Sequence, residues 1–187
     1  MTRIVAGTLG GRRIAAPPGA GTRPTSDRVR EALFSAVATE VDLVGARFAD
    51  LYAGSGAVGL EALSRGAAHV LLVESDPRAA RVIRENVAVL RAAPAARLVT
   101  GKVAGVLAAG PGSEPYDVVF ADPPYAVPDA EIAALLAALV AHAWLAPDAL
   151  VVVERSTRSG PVDWARGITA ERSRRYGETT LWYGRRS

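Results

Sequence analysis

Phe48-Ala49-Asp50-Leu51-Tyr52-Ala53-Gly54-Ser55-Gly56-Ala57-Val58-Gly59 begins as an apolar run, breaks into small residues and glycines, and continues into Leu60-Glu61-Ala62-Leu63-Ser64-Arg65, with Gly66 placed to stop a helix. Strand, glycine loop and helix read as the opening unit of an α/β sheet. Gly54, Gly56 and Gly59 carry the spacing that lets a ligand approach backbone just ahead of a helix N-terminus, although that spacing alone is a weak signal. Outward from it, strand-like runs near 47–52, 69–74, 97–100, 117–121 and 149–154 alternate with helical patterns near 57–65, 77–91, 103–109 and 129–143. Such alternation predicts an α/β, Rossmann-like fold whose mostly parallel central sheet carries helices on both faces. Ligands then sit beyond the carboxyl ends of the strands.

The two ends differ in texture. Arg3 to Ala6 and Arg12 to Ala15 flank a glycine-rich turn and predict a small hairpin, followed by a Pro/Gly-rich linker from Pro17 to Pro24. Residues 1–24 are therefore expected to be an extension, and 25–187 the α/β domain. Thr25 or Ser26 is placed to cap a helix running to about Ala38, with Val29, Leu33 and Val37 on its packing face. Ile168 to Tyr176 and Thr179 to Tyr183 read as two antiparallel strands joined at Gly177-Glu178 and lying at the sheet edge. The apolar stretch Ile132 to Ala146 is too short for a bilayer and reads as a buried helix.

Two strand ends carry acids. His69 to Val73 stops at Glu74, where a carboxylate can accept both hydroxyls of a ribose, although Ser75, Asp76 and Pro77 also open the next helix. Val118 to Ala121 runs directly into Asp122-Pro123-Pro124-Tyr125. An aryl amine is a poor nucleophile because its lone pair is delocalised into the ring. A catalyst for it needs acceptors that hold the NH₂ pyramidal and a flat surface against which the base can stack. Asp122 and the Pro123 carbonyl supply acceptors, the paired prolines stiffen the turn and leave its carbonyls without local donors, and Tyr125 supplies the ring. Methylation of a nucleobase amino nitrogen is the chemistry this arrangement suits. Between the cofactors that fit a glycine loop with an acidic strand end, Asp50 favours S-adenosylmethionine: its sulfonium and ammonium welcome an anion that a pyrophosphate would not.

With the Asp50 to Gly59 loop, Glu74 and Asp122 to Tyr125 in place, the chain resembles a class I S-adenosylmethionine-dependent methyltransferase. Arg23-Pro24-Thr25-Ser26-Asp27-Arg28-Val29-Arg30-Glu31-Ala32-Leu33-Phe34 and Tyr176-Gly177-Glu178-Thr179 narrow the resemblance to the RsmD-type bacterial small-subunit (16S) ribosomal RNA guanine-N2 methyltransferases. The resemblance implies S-adenosyl-L-methionine as donor and a guanine of small-subunit RNA, free or in an assembled subunit, as acceptor. It places Asp50, Tyr52, Gly54, Ser55, Gly56, Glu74 and Ser75 around the cofactor and Asp122, Pro123, Pro124 and Tyr125 on the target base, while Arg23, Thr25, Arg28 and Arg30, off the packing face of the first helix, are expected to meet the RNA. After Leu98-Val99-Thr100-Gly101, where many such enzymes offer Asp or Asn to the adenine amino group, this chain has Lys102, which cannot accept. Backbone groups of Lys102 and Val103 are the expected substitute.

Charge is polarised along the chain: residues 1–30 and 155–187 each carry +5, and residues 31–154 carry −7. Basic flanks attract phosphates, and an acidic middle suits a cationic cofactor. Arginine outnumbers lysine 21 to 1, so part of the basicity is compositional. The absence of cysteine excludes disulfides and thiolate metal sites, and His69 and His142 have no metal-ligand spacing. With one substantial core and no secretion-like start, the chain is expected to be a monomeric cytoplasmic enzyme without membrane contact. Two other functions remain compatible with the residues: DNA adenine-N6 or cytosine-N4 methylation, and RNA-binding assembly without turnover.

Overall fold

The computed structural model describes residues 2–17 and 26–187. Short strands β1 (Thr2–Arg3) and β2 (Arg13–Ile14) pair antiparallel as the N-terminal hairpin. Helix α1 (Asp27–Glu40) starts at Ser26, whose hydroxyl accepts from Val29 N at 3.2 Å. There follow β3 (Arg47–Asp50), α2 (Ala57–Ser64), β4 (His69–Glu74), α3 (Pro77–Val89), β5 (Ala96–Thr100), α4 (Val103–Ala108), β6 (Tyr116–Ala121), α5 (Asp129–Ala141), β7 (Leu145–Ser156), β8 (Ile168–Tyr176) and β9 (Thr179–Arg186).

Seven strands form one sheet in the order β5-β4-β3-β6-β7-β9-β8. β3, β4, β5, β6 and β7 pair parallel, and β9 runs against both of its neighbours. Counted from β3, the order is 3-2-1-4-5-7-6, so the dinucleotide-fold order 3-2-1-4-5-6 is interrupted by one reversed strand. The chain crosses from one half of the sheet to the other between β3 and β6, and the crevice above those two strands is where a ligand belongs.

Alternation along the central strands fills two cores. Phe48, Val118, Phe120, Leu150 and Val152 face Leu33, Phe34, Leu60 and Ile83, while Ala49, Val119, Ala121, Val151 and Val153 face Leu107, Leu136 and Trp144. Burial on both faces is what a parallel sheet covered by helices requires. The second core closes polar ends as well, since Trp144 Nε1 donates to the Leu107 carbonyl at 2.9 Å and its ring stacks on Tyr116 at 5.6 Å. His69 Nε2 lies 3.1 Å from the Tyr116 hydroxyl.

Three boundaries depart from the sequence reading. The stretch Ile132 to Ala146 is not one helix: α5 ends at Ala141, Ala143 turns at φ 59°, and Trp144 leads into β7. β7 begins at Leu145 rather than near 149, and Pro147-Asp148 is absorbed as an irregularity in the strand with Asp148 at φ 60°. β9 also runs on to Arg186, with Arg185 held by Glu40 and Glu171. Among the described residues no helix is long and apolar enough to cross a membrane.

Candidate active site

The glycine loop leaves β3 and turns into α2 at the centre of the sheet. Gly54 (φ 59°) and Gly56 (φ 84°) occupy left-handed conformations, and a side chain at Gly54 would meet nothing within 4 Å, so open space stands over the backbone there. Gly59 does a different job. A Cβ on it would lie 2.3 Å from Leu72 Cδ2 and 2.8 Å from Val70 Cγ1, so its bareness lets α2 lie close against β4. Gly59 N also donates to Asp50 Oδ2 at 3.0 Å, which locks the first turn of α2 to the tip of β3.

Glu74 closes the neighbouring tip. One carboxylate oxygen accepts from Gly54 N at 2.8 Å and the other from Asp76 N at 2.9 Å, so the group is aimed by backbone and has acceptor capacity left. Asp76, not Ser75, caps α3, and Ser75 is exposed. Lys102 is exposed at the N-cap of α4, Val103 is buried behind it, and Gly101 N donates to the Glu74 carbonyl at 3.0 Å, which seats this turn against β4.

Asp122 follows β6 directly, half-buried, and Pro123 is buried beneath it, whereas Tyr125 is 61% exposed. The Pro124 carbonyl accepts from Val127 N at 3.0 Å, so one of the two carbonyls expected to stand open instead closes the turn. Arg155, at the end of β7 and buried, donates to the Val127 carbonyl and to Asp129 Oδ1, both at 3.0 Å. It braces the tetrad from the adjacent strand. Tyr52 takes φ 139°, a strained value for a residue with a side chain, and packs into the second core in the field of Glu131 and Arg155, on the tetrad's side of the crevice.

Electrostatically the crevice is acidic. Burial pushes the Asp50 carboxyl up to about 7, with the Gly59 N–H opposing and the charges of Asp122 and Glu74 adding to the rise. Three strand tips, β3, β4 and β6, thus carry carboxylates that feel one another. Among the described residues no His, Asp and Glu group could hold a metal ion. An open glycine cradle, an acceptor pair at Glu74 and a buried carboxyl at Asp50, which a nearby cation would ionise, fit a ligand with a ribose and a positive centre.

Of the arginines expected on RNA, Arg23 lies outside the described residues, as does Thr25, and Arg28 is exposed on α1. Arg30 is different. It is 1% exposed, donating to Glu61 Oε1 at 3.3 Å, to Asp27 Oδ1 at 3.0 Å and to the Arg3 carbonyl. Its guanidinium is consumed inside the protein and does not face a nucleic acid. Glu61, fully buried, also accepts from Val5 N (2.8 Å), Ala6 N (3.0 Å) and Arg65 Nε (3.0 Å), so it latches the hairpin to α2. Asn86 makes a second latch, donating to the Ala15 and Ser55 carbonyls at 2.9 Å each and accepting from Ala15 N at 2.8 Å. Sequence reasoning passed over both. A lone glutamate inside the apolar α2 is the signal that a partner waited for Glu61, but nothing local marks Asn86.

The reversed strand β9, the glycine cradle and the paired acidic strand tips define a class I methyltransferase, with S-adenosylmethionine as its donor. The family model described as "Conserved hypothetical protein 95" matches residues 2–185, and the chain belongs to that family. Relatives include the Ribosomal RNA small subunit methyltransferase D proteins of Escherichia coli K12 (40% identical, 87% of this chain and 81% of that one) and Haemophilus influenzae (37%, 81% and 77%). The solved structure of the Escherichia coli yhhF protein superposes with a TM-score of 0.85 at 35% identity, covering 100% of this chain and 98% of the other.

Proposed function

We propose that this chain methylates the exocyclic N2 amino group of a guanine in small-subunit ribosomal RNA. The observation that carries the reading is the juxtaposition of Asp122-Pro123-Pro124-Tyr125, at the tip of β6, with Asp50, at the tip of the adjacent parallel strand β3, across the sheet's switch point. The names of the curated relatives support the choice of RNA.

S-adenosylmethionine, when bound, supplies an activated methyl group on a sulfonium. Glu74 would hold its ribose, Asp50 would face its positive end, Gly54, Ser55 and Gly56 would line the backbone cradle, and Lys102 and Val103 would offer backbone groups to the adenine. Asp122 and the Pro123 carbonyl accept hydrogens of the target NH₂ and keep the nitrogen lone pair out of the ring's conjugation. Tyr125 stacks on the extruded base. Tyr52, in the field of Arg155, would border the cofactor on the tetrad's side of the crevice. The extension 1–24 serves as an appendage to the catalytic domain, 25–187, and Glu61 and Asn86 fasten its hairpin at Val5, Ala6 and Ala15. The enzyme works as a cytoplasmic monomer.

Nucleoside mass spectrometry of small-subunit RNA, offered both free and in unmethylated subunits with enzyme and donor, tests the reading. N2-methylguanosine is the expected product, and N6-methyladenosine or an unmodified RNA contradicts it.

A further inference from the structure

Eight arginines lie between residues 155 and 187, and the structure divides them by task. Arg155 braces the catalytic turn through Asp129. Arg172 lies over the Tyr183 ring, 5.0 Å from its centroid and within 3.6 Å of Glu40. Arg185 is held by Glu40 and Glu171, and Arg186 by the Leu145 carbonyl. Arg166 is exposed in the turn before β8, at the far end of the sheet. Arg158, Arg174 and Arg175 are exposed at the other end.

That other end is the catalytic one. Ser156, last residue of β7, pairs with Thr179, and Thr179 pairs with Tyr176, so the β8–β9 turn stands at the carboxyl ends of the parallel strands. The turn after β7 is fastened to it: Thr157 N donates to the Glu178 carbonyl at 2.8 Å, and Thr157 Oγ1 reaches the Gly177 carbonyl at 3.3 Å and Thr180 Oγ1 at 3.0 Å. Arg158 N is capped by Ser156 Oγ at 3.2 Å, and Arg175 Nε donates to the Gly177 carbonyl at 3.0 Å. Arg174 pairs opposite buried Leu181 and Arg175 opposite Thr180, so successive side chains leave opposite faces of the edge strand. The three cations thus ring a rigid tip. From β6 to β8 is three strand spacings, about 14 Å from the catalytic turn.

We propose that this tip, Arg158 with Arg174 and Arg175, is a docking surface for the phosphodiester backbone flanking the target base. The proposal rests on the RNA-methylating function proposed above and adds where the strand lies. Cations on both faces of an edge strand suit a backbone that passes around the edge, and Glu178 is the tip's single acid. Contacts of this kind position without reading sequence. Charged residues on an edge strand also deter strand pairing, and the test separates that role.

Binding of a small-subunit RNA fragment by the full chain is measured across potassium chloride concentrations for the parent, for Arg158→Gln/Arg174→Gln/Arg175→Gln, for the corresponding triple lysine variant, and for Arg166→Gln. The triple glutamine variant should lose roughly two units of the log–log salt slope, at about 0.7 per phosphate contact. Its KM for RNA should rise, while kcat at saturating RNA and donor affinity stay with the parent. Lysines should restore the slope, and Arg166→Gln should match the parent. An unchanged slope, a fall in kcat alone, or a change confined to self-association overturns the proposal, and so does a tip that binds an acidic protein without altering the RNA slope. If the glutamine variant does not fold, arginine modification of the parent by phenylglyoxal decides: RNA should protect Arg158, Arg174 and Arg175 but not Arg166, and equal labelling with and without RNA overturns the proposal. A parent that neither binds nor methylates RNA overturns the proposed function as well. A parent that does both, matched by its variant, overturns the docking surface alone.

Discussion

Asp50 shows how one buried carboxyl ties cofactor binding to pH. It is 1% exposed, and burial lifts it from 3.8 to about 7. A folded value above the unfolded one means that the native state holds the proton longer, so the stability Asp50 contributes is complete below about pH 4 and is lost as pH rises through about 7. A cationic ligand needs the ionised form. S-adenosylmethionine affinity should therefore strengthen between about pH 6 and 8, with proton release detectable by calorimetry in buffers of different ionisation heat, and Asp50→Asn should abolish the dependence. A parent with flat affinity across that window contradicts this role. At Arg30 the expectation is loss of stability: Arg30→Ala leaves Glu61 buried with Arg65 as its remaining ion partner, which costs on the order of 3 kcal/mol in denaturant unfolding. Its direct effect on the RNA salt slope should be nil.

At the scale of elements, the β3–loop–α2 unit and the turn after β6 make separable demands. Gly59→Val would drive methyls into Leu72 and Val70, force α2 off β4 and shift Gly59 N from Asp50, so both folding and donor binding should suffer, by roughly 1–3 kcal/mol or more in stability. The tetrad should affect chemistry alone. Asp122→Ala is expected to cut methyl transfer by about a hundredfold or more while thermal unfolding with and without donor stays near the parent. Tyr125→Phe should retain much activity and Tyr125→Ala little, because a ring 61% exposed serves by stacking. If Phe fails as badly as Ala in turnover assays, the hydroxyl is required and stacking is the wrong account.

Across the whole molecule, cofactor and substrate are held by different parts of one sheet end. A donor that binds only the folded chain, present at a hundred times its Kd, should stabilise by about 2.7 kcal/mol and raise Tm by roughly 5–10 °C. A nicotinamide dinucleotide should do neither. With phosphate contacts expected at the exposed Arg28 on α1 and at the arginines of the catalytic sheet end, a 187-residue chain has little surface with which to read sequence. Assembled or partly assembled small subunits should accordingly be methylated faster than naked RNA when both are offered side by side. Faster reaction on naked RNA would refute the preference without touching the chemistry.

The amino-acid sequence by itself determined the strand–helix alternation, the glycine cradle, the acids at the tips of β3, β4 and β6, and a hydroxyl cap at Thr25 or Ser26, because each depends on neighbours within a few residues. It also carried enough local pattern to place the C-terminal hairpin at the sheet edge. Tertiary structure alone decided that β9 inserts between β7 and β8, since strand order is set by packing across long separations. It alone turned Arg30 inward, because Glu61, 31 residues away, offers a buried carboxylate that solvent cannot compensate. It alone made Asn86 a clasp on Ala15, 71 residues distant, raised Asp50 by sealing it from water, and sorted otherwise identical arginines into braces and exposed cations. Charge and hydrogen-bonding capacity are written in the residue type, but whether water or protein satisfies them is fixed only when the chain has closed around each group.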